Sequence, residues 1–358
     1  MKIIKILVVD DSAFSRRTIT KMLEDVAFVE VVGYAVNGEE GIQKVISLKP
    51  DLVTLDLEMP KMDGFTLLRI LTARFSLPVI VISALSGADK VFRALELGAL
   101  DFVAKPTSDA SVDLLSIKDD LQKKVLHVIA AKARDISDSR ATDNIQGALN
   151  ITSRINVGST PSGLRHLIDI FAIGSSTGGP PALQQIFSSF EQKYSFAVVV
   201  SQHMPAGFTK AFAERLNRNS AFDIKEAENG DLVLPGRVLI APGGRNLVFE
   251  ECDDKVVARV VIPSNTDRYV PSVDVMLESC SVIYKKRVAA VILTGMGNDG
   301  SKGVRAIKAQ GGYVFAESEE TAVVYGMPRE AVATGVVDRI IPLHNVSTEI
   351  VSKGGFVR

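Results

Sequence analysis

Short apolar runs alternate with stretches of helical periodicity along the first third of the chain. The strand-like runs occupy residues 5–9, 29–34, 52–55, 78–82 and 102–103. Apolar residues recur at helical spacing in Ser15–Val26, Glu39–Leu48 and Leu114–Arg134. Strands that alternate with helices in this way predict a parallel sheet covered on both faces.

The periodic pattern stops at residues 135–163, which are polar, small and aperiodic. Such a composition predicts a flexible linker. Strand and helix patterns resume beyond it and continue to the end of the chain. We therefore expect two α/β domains, one over residues 1–134 and one over residues 164–358.

Composition limits the classes of function. The chain has 358 residues, enough for two cores, and its net charge of −1 gives no electrostatic reason to bind nucleic acid or an anionic membrane. Its two cysteines, Cys252 and Cys280, form neither a disulfide framework nor a metal-ligand pattern, which is typical of reduced thiols. No apolar run approaches the roughly 20 residues of a membrane helix. We expect a cytoplasmic protein that does not insert into a membrane.

Acidic residues follow two strands that should be neighbours in the N-terminal sheet. Asp10 and Asp11 end the first strand, and Asp56 ends the third. A strand order of 2-1-3-4-5 brings these carboxylates together, where they repel each other unless a cation joins them, most plausibly Mg²⁺. Ser83 and Lys105 follow the fourth and fifth strands, where a hydroxyl and an ammonium are suited to holding a phosphoryl group on a carboxylate.

Each of these residues also has a structural interpretation when it is taken alone. Asp11 and Ser12 form a good N-cap for the following helix, and Lys105 and Pro106 could form a solvated turn. The convergence of five positions at one sheet edge favours the functional interpretation.

A serine, a histidine and an aspartate follow predicted strands of the C-terminal domain. Residues 174–179, GSSTGG, come directly after an apolar run, and Gly174-x-Ser176-x-Gly178 has the spacing of a nucleophile elbow. His203 ends a second apolar run, and Asp299 closes the loop after a third. Ligands bind at this edge of an open parallel sheet, so the pattern predicts a serine hydrolase.

The other three histidines, His127, His166 and His344, lack this position at a strand end. Asp299 lies in a Gly-Asn-Asp-Gly sequence that could be a simple turn, but a serine–histidine pair needs a carboxylate to orient the imidazole. The order Ser, His, Asp differs from that of the α/β-hydrolases.

The glycine-rich segment could instead cradle a nucleotide phosphate. That alternative is weakened because this segment matches neither G-x-G-x-x-G nor G-x-x-x-x-G-K-[ST], the two phosphate-binding glycine motifs. Pro180 and Pro181 suit the first turn of a helix, which would place Ser176 at a helix N-terminus where an oxyanion is stabilised.

The N-terminal motifs resemble the receiver domain of two-component response regulators. They are VVDDS at 8–12, LDLEMPKMDG at 55–64, SA at 83–84 and DFVAKP at 101–106. The resemblance implies a flavodoxin-like fold in which Asp56 accepts a phosphoryl group from a histidine kinase. It also implies that Asp10, Asp11, Asp56 and the Glu58 backbone carbonyl hold Mg²⁺.

Three further receiver roles follow from the same resemblance. Ser83 and Lys105 would bind the phosphoryl oxygens, and Phe102 would be the aromatic residue that reorients on activation.

The C-terminal motifs are similar to those of the catalytic domain of the CheB family, the chemotaxis receptor methylesterases. They are IGSSTGG at 173–179, QHMPAGFT at 202–209, LTGMGNDG at 293–300 and YGMP at 325–328. The resemblance implies a Rossmann-like serine hydrolase domain with Ser176 as nucleophile, His203 as base and Asp299 as its orienting carboxylate. The Met296 amide would be an oxyanion donor, Thr177 a supporting polar group, and no cofactor would be needed in this domain.

The implied function is hydrolysis of glutamate γ-methyl esters on methyl-accepting chemoreceptors, with deamidation of receptor glutamines by the same site. A chemotaxis histidine kinase would supply the phosphoryl group, and the unphosphorylated receiver would occlude the hydrolase cleft.

Two positions depart from the family pattern. Ser175 replaces the usual alanine and is a second candidate nucleophile, and Val270 replaces an arginine, which leaves the substrate contacts open.

Two rival functions differ in class. A DNA-binding output domain would need a helix-turn-helix or a basic domain, and the second half of the chain has neither pattern. A non-catalytic, phosphorylation-dependent scaffold stays open, because the presence of the three residue types does not prove activity.

Overall fold

The computed structural model describes residues 3–84, 88–106, 113–126, 128–129, 168–192 and 194–355. The predicted linker, His127 and His166 lie outside these residues, so the predicted domain boundaries stay predictions. No helix within the described ranges has the length and apolar character to cross a membrane.

The first domain is a five-stranded parallel sheet. Its strands are β1 Ile4–Val9, β2 Val29–Ala35, β3 Leu52–Leu55, β4 Val79–Ala84 and β5 Asp101–Lys105. Their order is β2-β1-β3-β4-β5, which confirms the predicted 2-1-3-4-5 sheet. The helices are α1 Ala13–Glu24, α2 Gly38–Leu48, α3 Gly64–Phe75, α4 Ala88–Glu96 and α5 over residues 118–126.

All three predicted helices of this domain begin at other residues than the periodicity predicted, α2 by a single residue. α1 starts at Ala13, before the predicted Ser15, because the Ser12 side chain accepts a hydrogen bond of 3.3 Å from the Ser15 N–H and caps the helix. The helix predicted from Leu114 opens with a 3₁₀ turn, Asp113–Ile117, before α5 begins. Apolar spacing reports the buried face of a helix but not its cap.

The second domain is built on a seven-stranded parallel sheet. Its strands are β6 Ile170–Ser175, β7 Ala197–Gln202, β8 Asp223–Glu226, β9 Arg237–Ile240, β12 Val288–Ile292, β13 Tyr313–Glu317 and β14 Arg339–Ile341. The order is β14-β13-β12-β6-β7-β9-β8. An antiparallel hairpin lies beside it, formed by β10 Asn246–Cys252 and β11 Lys255–Val261. The two doubly wound parallel sheets confirm the predicted fold class.

Helices cover this second sheet on both faces. They are α6 Gly179–Ser188, α7 Phe208–Arg218, α8 Val273–Tyr284, α9 Ser301–Ala309, α10 Met327–Ala333 and α11 Leu343–Gly354. All residues of β6, β7 and β12 are buried, which explains why these strands are continuous apolar runs without alternation.

β6 lies between β7 and β12, at the point where the strand order of the second sheet reverses. Ser176 follows β6, His203 follows β7, and the loop that ends in Asp299 follows β12. The carboxyl edge at such a reversal is where open α/β sheets bind ligands. The topology therefore brings the three predicted residues to one edge.

The two domains share an aromatic contact. The ring of Phe92 in α4 stacks on Phe212 in α7 with centroids 5.4 Å apart, and the ring of Phe102 lies 4.8 Å from that of Phe208. All four side chains belong to one continuous apolar cluster that reaches from the first sheet to the second. The receiver-like domain is thus packed beside α7, next to the predicted hydrolase edge.

Candidate catalytic site

His203 and Asp299 form a hydrogen-bonded pair. Nε2 of His203 lies 2.8 Å from Oδ2 of Asp299, which is 2% exposed. Because Nε2 faces the carboxylate, Nδ1 is the ring nitrogen left to act on a serine or a substrate. This use of the two nitrogens is the reverse of the serine-protease arrangement.

The N-terminus of α8 holds the Asp299 carboxylate. The amides of Val273 and Asp274 donate to it at 2.7 and 2.9 Å, and the Ser272 hydroxyl lies at 3.2 Å. Burial acts to raise the pKa of Asp299, but the hydrogen bonds from His203 and these amides outweigh it and lower that pKa. The carboxylate is therefore ionised at neutral pH and fixed in orientation.

Ser176 lies at the tight turn after β6. Its N–H donates to the carbonyl of Thr294 at 3.0 Å, and a Cβ added to Gly295 would lie 2.8 Å from the Cβ of Ser176. Ser176 and His203 line the same cleft, but no hydrogen bond joins Oγ of Ser176 to the imidazole. Such bonds often tighten only when substrate is bound.

Ser175 is buried beneath the cleft. Its hydroxyl donates to Oε1 of Gln202 at 2.6 Å, and it is 0% exposed. Nε2 of Gln202 in turn donates to the carbonyls of Ser176 and His203 at 3.0 and 3.1 Å. The alternative nucleophile is therefore placed as a support for the backbone of Ser176 and His203, out of reach of a substrate.

Met296 lines the cleft in the loop between β12 and Asp299. No residue in the described part of the chain accepts a hydrogen bond from its N–H. That loop is anchored because the buried carboxylate of Glu317 accepts from the N–H of Thr294 at 2.7 Å. Among the described residues the Met296 amide is thus a donor without an acceptor, as an oxyanion site requires.

Thr177 contacts the first domain. Its hydroxyl donates to Oδ2 of Asp101 at 2.6 Å, and Oδ1 of Asp101 pairs with Lys124 at 3.1 Å. Asp101, Lys123 and Lys124 line the same cleft of about 840 Å³ as Ser176. In this arrangement Thr177 is engaged by the receiver-like domain.

The acidic pocket of the first domain forms as predicted at the ends of β1 and β3. Carboxylate oxygens of Asp10, Asp11 and Asp56 lie within 4.8 Å of one another. Nζ of Lys105 lies 2.9 Å from Asp10 and 2.6 Å from Asp56. These oxygens are the hard ligands that Mg²⁺ prefers, so the residues present fit that ion.

Burial and charge oppose each other in this pocket. Burial is the main cause that raises the pKa of Asp10, with Lys105 acting against it and Asp56 adding to it. Burial would lower the pKa of Lys105, but the charges of Asp10 and Asp56 outweigh it and raise that pKa. The lysine is thus a charged counterion to two clustered carboxylates.

The other three predicted receiver residues differ in how they lie relative to Asp56. The N–H of Glu58 reaches Oδ1 of Asp56 at 3.3 Å, whereas its own carboxylate pairs with Lys90. Ser83 is buried at the end of β4, and no hydrogen bond joins its hydroxyl to Asp56. Phe102 is 2% exposed and packs between the two domains.

Sequence reasoning missed three residues around the site. Gln202 is adjacent to His203, and Glu317 ends a buried strand. Their positions at strand ends could have indicated that both residues lie near the site. Tyr269 stacks on the His203 ring, and no local pattern indicates that contact.

Comparisons with known proteins agree with this arrangement. A CheB methylesterase family model matches residues 171–350, and a response regulator receiver domain model matches residues 6–115. The chain is 55% identical to a protein-glutamate methylesterase/protein-glutamine glutaminase of Geobacter sulfurreducens, over 100% of this chain and 99% of the relative. A relative of the same name from Myxococcus xanthus is 44% identical over 96% of this chain and 95% of its own.

A solved structure is also similar. The crystal structure of the Thermotoga maritima CheB methylesterase catalytic domain has 41% sequence identity and a TM-score of 0.50, and the match covers 52% of this chain and 98% of that one. Since both family models and the full-length relatives agree with the two observed sheets, the chain is an enzyme of the CheB methylesterase family that carries a response regulator receiver domain.

Proposed function

We propose that the chain hydrolyses glutamate γ-methyl esters on methyl-accepting chemoreceptors and deamidates receptor glutamines, in adaptation during chemotaxis. The names of the full-length relatives, protein-glutamate methylesterase/protein-glutamine glutaminase, support methylated glutamate and glutamine side chains of proteins as substrates. The observation that carries the proposal is the pairing of His203, which lines the same cleft as Ser176, with a buried, ionised Asp299.

The reaction uses the three residues in sequence. Nδ1 of His203 takes the Ser176 proton as Oγ attacks the ester carbonyl, and the Met296 N–H donates to the oxyanion. The imidazolium returns the proton to the departing methoxide, so methanol leaves and an acyl-enzyme forms. Water, deprotonated by the same nitrogen, then releases glutamate and free Ser176. With a glutamine substrate, ammonia leaves in place of methanol.

The acidic pocket is the proposed control site. Asp56 would accept the phosphoryl group from a chemotaxis histidine kinase, with Asp10, Asp11, Asp56 and the Glu58 backbone carbonyl holding Mg²⁺. When bound, the ion would supply positive charge to the phosphoryl oxygens. Lys105 and Ser83 would bind those oxygens, which requires Lys105 to leave its present position between the carboxylates.

The proposed switch is the contact between the domains. The receiver engages Thr177 through Asp101 and lines the cleft, so access for a receptor helix requires the receiver to move. Phe102 packs on Phe208, which links the phosphorylation domain to α7. We propose that phosphorylation favours the moved state, and that the enzyme acts in the cytoplasm on the methylated receptor helices.

Replacement of the nucleophile tests the proposal. Ser176→Ala is expected to reduce methanol release from methylated receptor membranes by about 10⁶-fold, because the histidine and aspartate do little without the serine. Phosphorylation of Asp56 by a small phosphodonor should be unchanged. Ser188→Ala, at the far end of α6, is the matched control.

Methanol release by Ser176→Ala at the wild-type rate would rule out this nucleophile. Absence of release by the wild-type chain, phosphorylated or not, would favour the non-catalytic scaffold.

A further inference from the structure

Tyr269 packs against His203 and has no role in the reaction described above. The two ring centroids lie 5.1 Å apart and the ring planes are inclined by only 3°, which is an offset parallel stack. Tyr269 is half-buried and lines the cleft. We propose that Tyr269 is a positioning residue, whose ring keeps the imidazole of His203 in the plane that directs Nδ1 at Ser176. This inference rests on the proposed function.

One hydrogen bond is not enough to orient an imidazole. The covalent bond at Cγ and the bond from Nε2 of His203 to Asp299 anchor two atoms of the ring, and the ring can still tilt about the line that joins them. A parallel ring against one face opposes this rotation, so the direction of Nδ1 becomes fixed. Orientation matters because a misplacement of about 1 Å can cost about 100-fold in rate.

Tyr269 is confined at its other end by the loop that carries the proposed oxyanion donor. A Cβ added to Gly297 would lie 2.3 Å from the Tyr269 hydroxyl oxygen, so only glycine leaves room for the phenol. The φ of Gly297 is 94°, in the region that favours glycine. Gly297 directly follows Met296. The phenol thus reaches from the base to the oxyanion loop.

The segment that carries Tyr269 also orients the triad carboxylate. Three residues later Ser272 caps α8, and its hydroxyl and the two following amides donate to Asp299. Residues 269–274 therefore restrain the imidazole of His203 in two ways. Tyr269 contacts the face of the ring, and residues 272–274 hold the carboxylate that bonds to Nε2.

The test compares Tyr269→Leu and Tyr269→Met with Tyr269→Phe in the phosphorylated full-length chain. Leucine and methionine keep apolar volume but remove the flat ring, and phenylalanine keeps the ring. We expect kcat for methanol release to fall by about 100-fold in the first two, with KM changed by less than about three-fold. Tyr269→Phe should recover kcat to within about three-fold of the wild type. Tyr313→Leu, a tyrosine outside the cleft, is the control, and thermal unfolding midpoints check that each variant folds.

Three results would overturn the inference. These are a wild-type kcat in both non-aromatic variants, a rise in KM at constant kcat, which would make Tyr269 a substrate contact, or a Tyr269→Phe variant as slow as Tyr269→Leu. Ser176→Ala, assayed in parallel, separates the two proposals. If it is active, the proposed function fails, and if it is inactive while Tyr269→Leu keeps its kcat, only the role of Tyr269 fails.

Discussion

The two domains both place carboxylates at the carboxyl edge of a parallel sheet, but they hold them in different ways. In the catalytic domain three donors from the start of α8 fix Asp299, and its pKa is lowered. In the receiver, Asp10 and Asp56 share one lysine ammonium, and burial raises the pKa of Asp10. Two of the three donors to Asp299 are backbone amides, whereas the counterion of Asp10 and Asp56 is a side chain.

This difference fits the different work that we propose for the two sites. A carboxylate that orients a base must not move during the reaction, since preorganised polar groups need no rearrangement in the transition state. A carboxylate that accepts a phosphoryl group must let a cation and new oxygens enter. Lys105 can leave Asp56, whereas the amides of Val273 and Asp274 cannot leave Asp299 without unwinding the first turn of α8.

Of the changes that test this difference between the two domains, neutralisation of the Asp299 carboxylate should have the largest effect on kcat. Asp299→Asn places an amide NH₂ among donors that need an acceptor, so we expect kcat to fall by about 10⁴-fold. Because the pKa of Asp299 is lowered, the wild-type carboxylate is already ionised and the loss should be the same throughout the neutral range. Steady-state methanol release measures it. Asp274→Asn is the matched control, and an equal loss in that variant would contradict a special role for Asp299.

A smaller effect should come from the contact between the domains. Glu96 in α4 pairs with Arg215 and accepts from Gln184 at 2.8 Å. Glu96→Lys replaces this attraction with repulsion. The Glu96 side chain is 35% exposed, so we expect the closed arrangement to be destabilised by only about 1 kcal/mol. Unphosphorylated activity should therefore rise by about five-fold.

The control for that variant lies on the same helix. Asp89 is 78% exposed and lies 4.0 Å from Arg218, so Asp89→Ala should change basal activity by less than about two-fold. Phosphorylated activity should stay the same in both variants. Basal activity of Glu96→Lys at the wild-type level would argue against occlusion by this face of the receiver.

The smallest effect should come from Ser175. Ser175→Ala removes one buried hydrogen bond and leaves Oε1 of Gln202 without that donor, which should lower the free energy of unfolding by about 1–2 kcal/mol. We expect kcat to stay within about three-fold, because Gln202 keeps its bonds to the carbonyls of Ser176 and His203. Urea unfolding and methanol release measure the two quantities. A loss of activity as large as that of Ser176→Ala would reinstate Ser175 as the nucleophile.

In both sites, the residues that could be predicted from the sequence are those that directly follow a strand. Buried parallel strands are continuous apolar runs, so the residues that follow them, such as Asp10, Asp56, Ser176 and His203, could be placed at a sheet edge before any coordinates.

The contacts that fix these residues could not be predicted, because they join segments far apart in the chain. The start of α8 reaches Asp299 across about 25 residues, and Asp101 reaches Thr177 across 76. The Tyr269 stack likewise depends on packing that no local pattern reports. Glycines at tight approaches, such as Gly295 against Ser176, were visible in the sequence, but their partners were not.

Methanol release by the full-length chain from methylated receptor membranes, with and without Mg²⁺ and a small phosphodonor, shows most directly whether phosphorylation of the receiver controls the catalytic site. We expect slow release without them, faster release with them, and no acceleration in Asp56→Asn. Equal release under both conditions, or acceleration that survives Asp56→Asn, would contradict control of the catalytic site by phosphorylation of the acidic pocket.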